Sequence, residues 1–130
     1  MNEEIILRGE TPGDTTSGTV SLDSDIFHSP VSFFRLPRGM IVFVTFKKVS
    51  GEGETLFTLQ YANDVTIDSP KWRAIEREKL ASKGEFAIEE VAVILHSLSG
   101  KEGIRVIFEQ PTAAKAYIEL GVKLMNRKNE

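Results

Sequence analysis

The chain has 130 residues, 41% hydrophobic and 27% charged, with a formal net charge of −3 and no cysteine. That length suits one domain with a full hydrophobic core. The acidic balance argues against a broad nucleic-acid footprint, and the missing cysteines exclude disulfides, thiolate metal sites and cysteine nucleophiles.

The N-terminus, MNEEIILRGE, carries acids where a signal peptide needs a basic region. No stretch approaches the roughly 18 apolar residues of a membrane-spanning helix, and no Asn-x-Ser/Thr acceptor occurs. The expectation is synthesis in the cytoplasm, with later assembly into a virion or other particle left open, and no membrane partner.

Residues 9–19, GETPGDTTSGT, lack any large apolar group and read as a mobile connection. Residues 1–18 are therefore expected to form an N-terminal arm whose apolar patch, Ile5, Ile6 and Leu7, docks on a neighbour. The alternative is a first edge strand followed by a loop. Residues 19–130 are expected to form a single β-sandwich domain.

From there the apolar period is mostly two. Val20, Leu22, Ser24 and Ile26 alternate with Ser21, Asp23 and Asp25, the pattern of a half-buried strand. Val31–Leu36 is a second strand, stopped by Pro37. Met40–Val49, MIVFVTFKKV, is apolar on both faces through Phe46 and predicts a central strand covered on both sides. After the SGEGE turn, Phe57, Leu59 and Tyr61 alternate with Leu56, Thr58 and Gln60.

The segment DSPKWRAIEREKLASKGE departs from that period. Ser69 can cap, Pro70 suits a first helical turn and Gly84 a stop, so a short helix is expected around residues 70–82, with Trp72 as its packing anchor. One more strand at Trp72–Ile75 is the alternative. Phe86–Leu98 and Ile104–Phe108 then read as strands. The last strand is the clearest, with Ala114, Ala116, Ile118, Leu120, Val122 and Leu124 on one face and Lys115, Tyr117, Glu119 and Lys123 on the other. Seven or eight strands with short turns predict an all-β, antiparallel β-sandwich of the jelly-roll or immunoglobulin-like kind.

Searches for chemistry find little. His28 and His96 sit in no H-x-x-x-H pattern. Ser97 and Ser99 near His96 lack the third member of a triad and a G-x-S-x-G context. SGKEG lacks the first glycine of a phosphate loop, and Glu102 stands where Ser or Thr is needed. Asp23 and Asp25 share a strand face, and Asp64 and Asp68 flank a loop; either pair could offer oxygen to calcium, though Asp is also a common turn former. No catalytic residue, metal site or cofactor is expected. Tyr61, Trp72 and Tyr117 combine apolar rings with polar handles. Tyr117, on the polar face of the last strand, is the best single candidate for contact with a neighbour.

The stretch FTLQYANDVTIDSPKW resembles a pattern of discoidin-type and related jelly-roll modules: an aromatic strand ending in Gln-Tyr, then Asn-Asp, then Trp after a loop. Independently of that resemblance, the polar-handled rings of Tyr61 and Trp72 with Asp64, at one end of the sandwich, could serve a carbohydrate-binding module, with a glycan as partner. A small strand-rich chain with a polar N-terminal arm also resembles virion structural subunits, capsid or decoration proteins. The leading expectation is a non-enzymatic structural protein that packs against copies of itself or other structural subunits through Ile5, Ile6, Leu7 and Tyr117. A carbohydrate-binding β-sandwich module is the alternative.

Overall fold

The computed structural model describes residues 3–24, 29–51, 55–75, 81–82, 89–110 and 115–126. Its strands are β1 (Glu3–Glu10), β2 (Ser17–Thr19), β3 (Leu22–Asp23), β4 (Phe34–Arg35), β5 (Met40–Gly51) and β6 (Leu56–Ala62), followed by β7 (Arg73–Ala74), β8 (Ala81–Ser82), β9 (Glu89–Ser97), β10 (Gly103–Glu109) and β11 (Ala116–Asn126). They form a five-stranded sheet in the order β3-β1-β11-β5-β9. A six-stranded sheet has β10 and β6 at its centre, β2 and β4 sharing the outer side of β10, and β7 and β8 sharing the outer side of β6. Every pairing is antiparallel. The fold is an all-β jelly-roll sandwich.

The period-two pattern decides which side chains fill the gap between the sheets. Ile5, Leu7, Val42, Val44, Ala116, Ile118, Leu120, Val122 and Leu124 line the five-stranded side. Phe57, Leu59, Ile104, Val106 and Phe108 answer from the other, and all are buried. At about 25 cal/mol per Å² this apolar burial is the main stabilising term. Cross-strand register places like with like: Leu7 opposite Leu120, Val44 opposite both Val122 and Val93, and Leu59 opposite Val106.

Several expectations need correction. Residues 3–10 are no arm: β1 lies between β3 and β11, with Ile5 facing Val122 and Leu7 facing Leu120 across the ladder. Ile5 and Leu7 belong to the chain's own core and are closed to a neighbour; Ile6 points the other way and is half-buried. The partner strand lies at the opposite end of the sequence, so local composition carried no sign of it. The connection after β1 is also tied down. Thr11 is fully buried and exchanges hydrogen bonds with Ala116, and Gln110 bonds the backbone at Thr15 and Thr16.

The expected helix around 70–82 is not formed in its described parts. Arg73–Ala74 and Ala81–Ser82 are short strands on the edge of β6, and residues 76–80 lie outside the described residues. Here pairing with an open sheet edge overrides helix propensity, which is a weak local preference. Of the strand expected from Val20 to Ile26, Leu22–Asp23 is β3 and pairs with β1, while β2, just before it, pairs with β10 in the other sheet; residues 25–26 lie outside the described residues. Val20 and Leu22 both reach the core across this crossing, which preserves the alternation while the backbone changes sheet.

Candidate functional site

The outer faces of the two sheets differ in kind. On the six-stranded sheet, the chain after β6 folds back over its own sheet. Asp64 starts this return with an Asx turn, its Oδ1 accepting hydrogen bonds from the Thr66 N–H (2.9 Å) and hydroxyl. Those two bonds hold the Asp64 carboxyl below its usual range, with smaller help from Lys101 and Arg35. Val65 then lies on Gly103: a Cβ at Gly103 would come within 2.7 Å of Val65 Cγ1, so that close approach requires glycine. Farther on, Trp72 lies over Arg105, whose Cζ is 4.5 Å from the ring centroid, and beside Phe33 at 5.9 Å. Arg105 Nε donates to Gln60 Oε1 at 2.8 Å.

At the end of this face the β9–β10 turn closes on Glu102. Its carboxylate accepts from the Ser97 hydroxyl (3.0 Å) and from the N–H groups of Leu98 (3.2 Å), Ser99 (3.4 Å) and Gly100 (3.1 Å). Burial alone would push the Glu102 carboxyl up; these bonds, with its own backbone N–H, outweigh it and bring the group below its usual range. SGKEG thus does build a nest of amide donors, but the nest is filled by the chain's own carboxylate. Gly100, at φ 78°, allows the turn.

The outer face of the five-stranded sheet has no such cover among the described residues. Alternation places Ile6, Ile41, Phe43, Thr45, Ile94 and Met125 on it. Ile94 is 56% exposed, and the other five are half-buried. Phe43 stands opposite Ile94, and Ile41 opposite Met125. β5 is therefore central in its sheet as expected, but the cover expected on its second side is not supplied by any described segment. Beside this apolar band the charges neutralise one another. Glu119 lies 3.5 Å from Arg8 and 3.8 Å from Lys47, and Lys115 lies 3.5 Å from Glu10.

The sequence-derived candidates scatter over these surfaces. Tyr117 is 41% exposed on the five-stranded face, with its hydroxyl hydrogen-bonded to Glu10, which raises its pKa. Tyr61 points inward at the end of the sandwich beneath Arg73, whose Cζ is 5.2 Å from the ring. Burial, then Glu102, raises the Tyr61 pKa, with Arg73 opposing. Tyr61, Asp64 and Trp72 thus have separate partners. Asp68 and His96 are exposed, Asp23 faces Arg8 across β3 and β1, and Asp25 and His28 lie outside the described residues. No group of three or more metal-ligating side chains occurs among the described residues. Sequence reading missed Arg105, Val65 and the apolar band; the band's signal was the two-sided apolarity of MIVFVTF.

An open cavity of about 640 Å³ lies beside β3, β1 and β11, lined by Arg8, Glu10, Asp23, Tyr117 and Glu119 among others. No described helix is long and apolar enough to cross a membrane.

No protein-family model matches the chain, and no curated protein matches it in sequence. Three solved structures are similar in fold. A chain of the cyanophage Pam1 capsid asymmetric unit has a TM-score of 0.54 and 17% identity, over 96% of this chain and 84% of that one. The globular domain of zebrafish complement 1qA protein has a TM-score of 0.48 and 13% identity, over 96% and 99%. The Eiger TNF from S. frugiperda has a TM-score of 0.38 and 12% identity, over 96% of each chain. At such identities the likeness is one of fold alone, and that with the capsid chain agrees with the jelly-roll β-sandwich described above.

Proposed function

We propose that the chain is a non-enzymatic structural subunit that packs against copies of itself through the outer face of the five-stranded sheet. The observation that carries this reading is the apolar band of Ile6, Ile41, Phe43, Ile94 and Met125, with Ile94 more than half exposed and no described segment over it. Contiguous apolar surface of this kind marks interaction sites. The flanking charges are already paired within the chain, so two like faces can approach without net repulsion. Five strands about 4.8 Å apart make a face about 20 Å wide, the scale of the ~800 Å² per partner that a stable interface buries. Tyr117 and Ile6 lie on this face and are the assembly contacts retained from the sequence; Ile5 and Leu7 are not. A virion is the finer form of the proposal, supported by the shared fold with a chain from a phage capsid.

Sedimentation velocity over a range of concentrations tests it. The wild-type chain is expected to sediment as a closed oligomer and Ile94→Lys as a monomer with unchanged circular dichroism. A wild-type monomer at every concentration would overturn the proposal.

A further inference from the structure

The cations of the molecule are divided between its two faces. Every described ion pair, Arg8–Glu119, Lys47–Glu119 and Lys115–Glu10, lies on the five-stranded side. Arg35, Arg38, Lys101 and Arg105, on the outer face and turn of the six-stranded sheet, have no ion pair among the described residues. Arg35 is opposite Gly103, and Arg105 follows two positions later on β10. The two are therefore diagonal neighbours on one face, about 7–8 Å apart at Cα. Arg35 Nε is held by the Gly100 carbonyl at 2.7 Å, and the Arg38 side chain packs against Gly100, next to Lys101. Of the carboxylates beside them, Asp64 is engaged by Thr66, and Glu102 by the Ser97 hydroxyl and the amides of its own turn.

We propose that this face, centred on Arg35, Lys101 and Arg105, binds an acidic polysaccharide. Arg105 lies under Trp72 with Nε bonded to Gln60, which fixes the guanidinium plane and leaves its outer nitrogens free of any described carboxylate. A guanidinium so oriented takes a carboxylate or sulfate through two parallel hydrogen bonds. Burial also lowers the Arg105 pKa, the cost of holding an unpaired cation that an anionic ligand would relieve. The observations favour a polysaccharide over the other polyanions. A single-stranded nucleic acid needs open aromatic faces for its bases, and Tyr61 and Trp72 each already have one face stacked on a guanidinium. An acidic protein segment that docks as an added strand needs a long open edge, and the edge strands β4 and β7 are two residues long.

Trp72 is the only tryptophan, so its emission reports on Arg105 directly. The intact chain is titrated with heparin, polygalacturonate, neutral dextran and duplex DNA. The expected result is a saturable emission change with heparin (sulfate) or polygalacturonate (carboxylate), weakened by salt, and none with dextran. Arg105→Gln should weaken binding about tenfold or more and Arg105→Lys by less, while Arg8→Gln on the opposite face binds as wild type. Lys101→Gln, exposed at the turn, gives the same direction where Arg105→Gln fails to fold. No emission change with either acidic polymer, wild-type binding by Arg105→Gln and Lys101→Gln, or equal affinity for duplex DNA would each overturn the proposal.

Discussion

The two sheets share one core but treat their outer faces in opposite ways. The six-stranded sheet is covered by its own chain: Val65 fits onto Gly103, and Trp72 lies on Arg105. The five-stranded sheet presents Phe43, Ile94, Ile41 and Met125 with no described segment above them. An outer face that buries its apolar groups internally contributes to the stability of the monomer. A face that leaves them exposed can gain that contribution only from another molecule. The covered face is therefore expected to govern folding and the bare face association, and substitutions on each should separate the two properties.

The largest effect is expected from Val65→Asp. Val65 is 8% exposed, with its N–H bonded to the Lys101 carbonyl at 2.8 Å. A carboxylate there has no partner on Gly103 and should cost about 2–4 kcal/mol, read as a lower urea midpoint. If stability is unchanged, the return of the chain over the sheet is not what closes this face. Next, Trp72→Ala removes the ring from Arg105 and Phe33. A half-buried tryptophan should cost about 2 kcal/mol, less than the core range, without changing oligomeric state. Loss of the oligomer in this variant would shift association to the covered face.

Glu102→Gln is expected to cost about 1–2 kcal/mol at neutral pH by weakening charge-assisted hydrogen bonds. The sign with pH follows from the lowered pKa. An ionised Glu102 stabilises the folded state above the unfolded carboxyl pKa of about 4.3, and this is lost as pH falls through the lower folded value. The variant should therefore differ most from wild type at neutral pH and converge with it in acid, as measured by thermal melts from pH 7 to about 3. A constant difference across that range would mean that the turn does not depend on the charge. The smallest effect on monomer stability belongs to Ile94→Lys, within about 0.5 kcal/mol, although it should abolish association. Destabilisation well beyond that would show Ile94 to be part of the monomer's own packing.

Much of the fold was legible because strand period is local. Ala116, Ile118, Leu120, Val122 and Leu124 are buried while Tyr117 and Lys123 are exposed, as their alternation required. Phe57 and Leu59 followed the same rule. The candidate surfaces were much less legible. Arg105 is an unremarkable arginine in IRVIF until Trp72, thirty-three residues earlier, folds onto it. MIVFVTF announced two apolar faces, yet whether the second is covered depends on segments distant in sequence.

By itself, then, the sequence determined an all-β chain with a period-two core, no cysteine chemistry and a central strand apolar on both sides. These are properties of residue type and spacing. Only the tertiary structure decided that β1 lies inside the sheet, that residues 73–74 and 81–82 extend along β6 instead of coiling, and which sheet has no cover among the described residues. Each depends on a hydrogen-bonding partner far along the chain, and local propensity, worth a fraction of a kcal/mol per residue, gives way to that pairing.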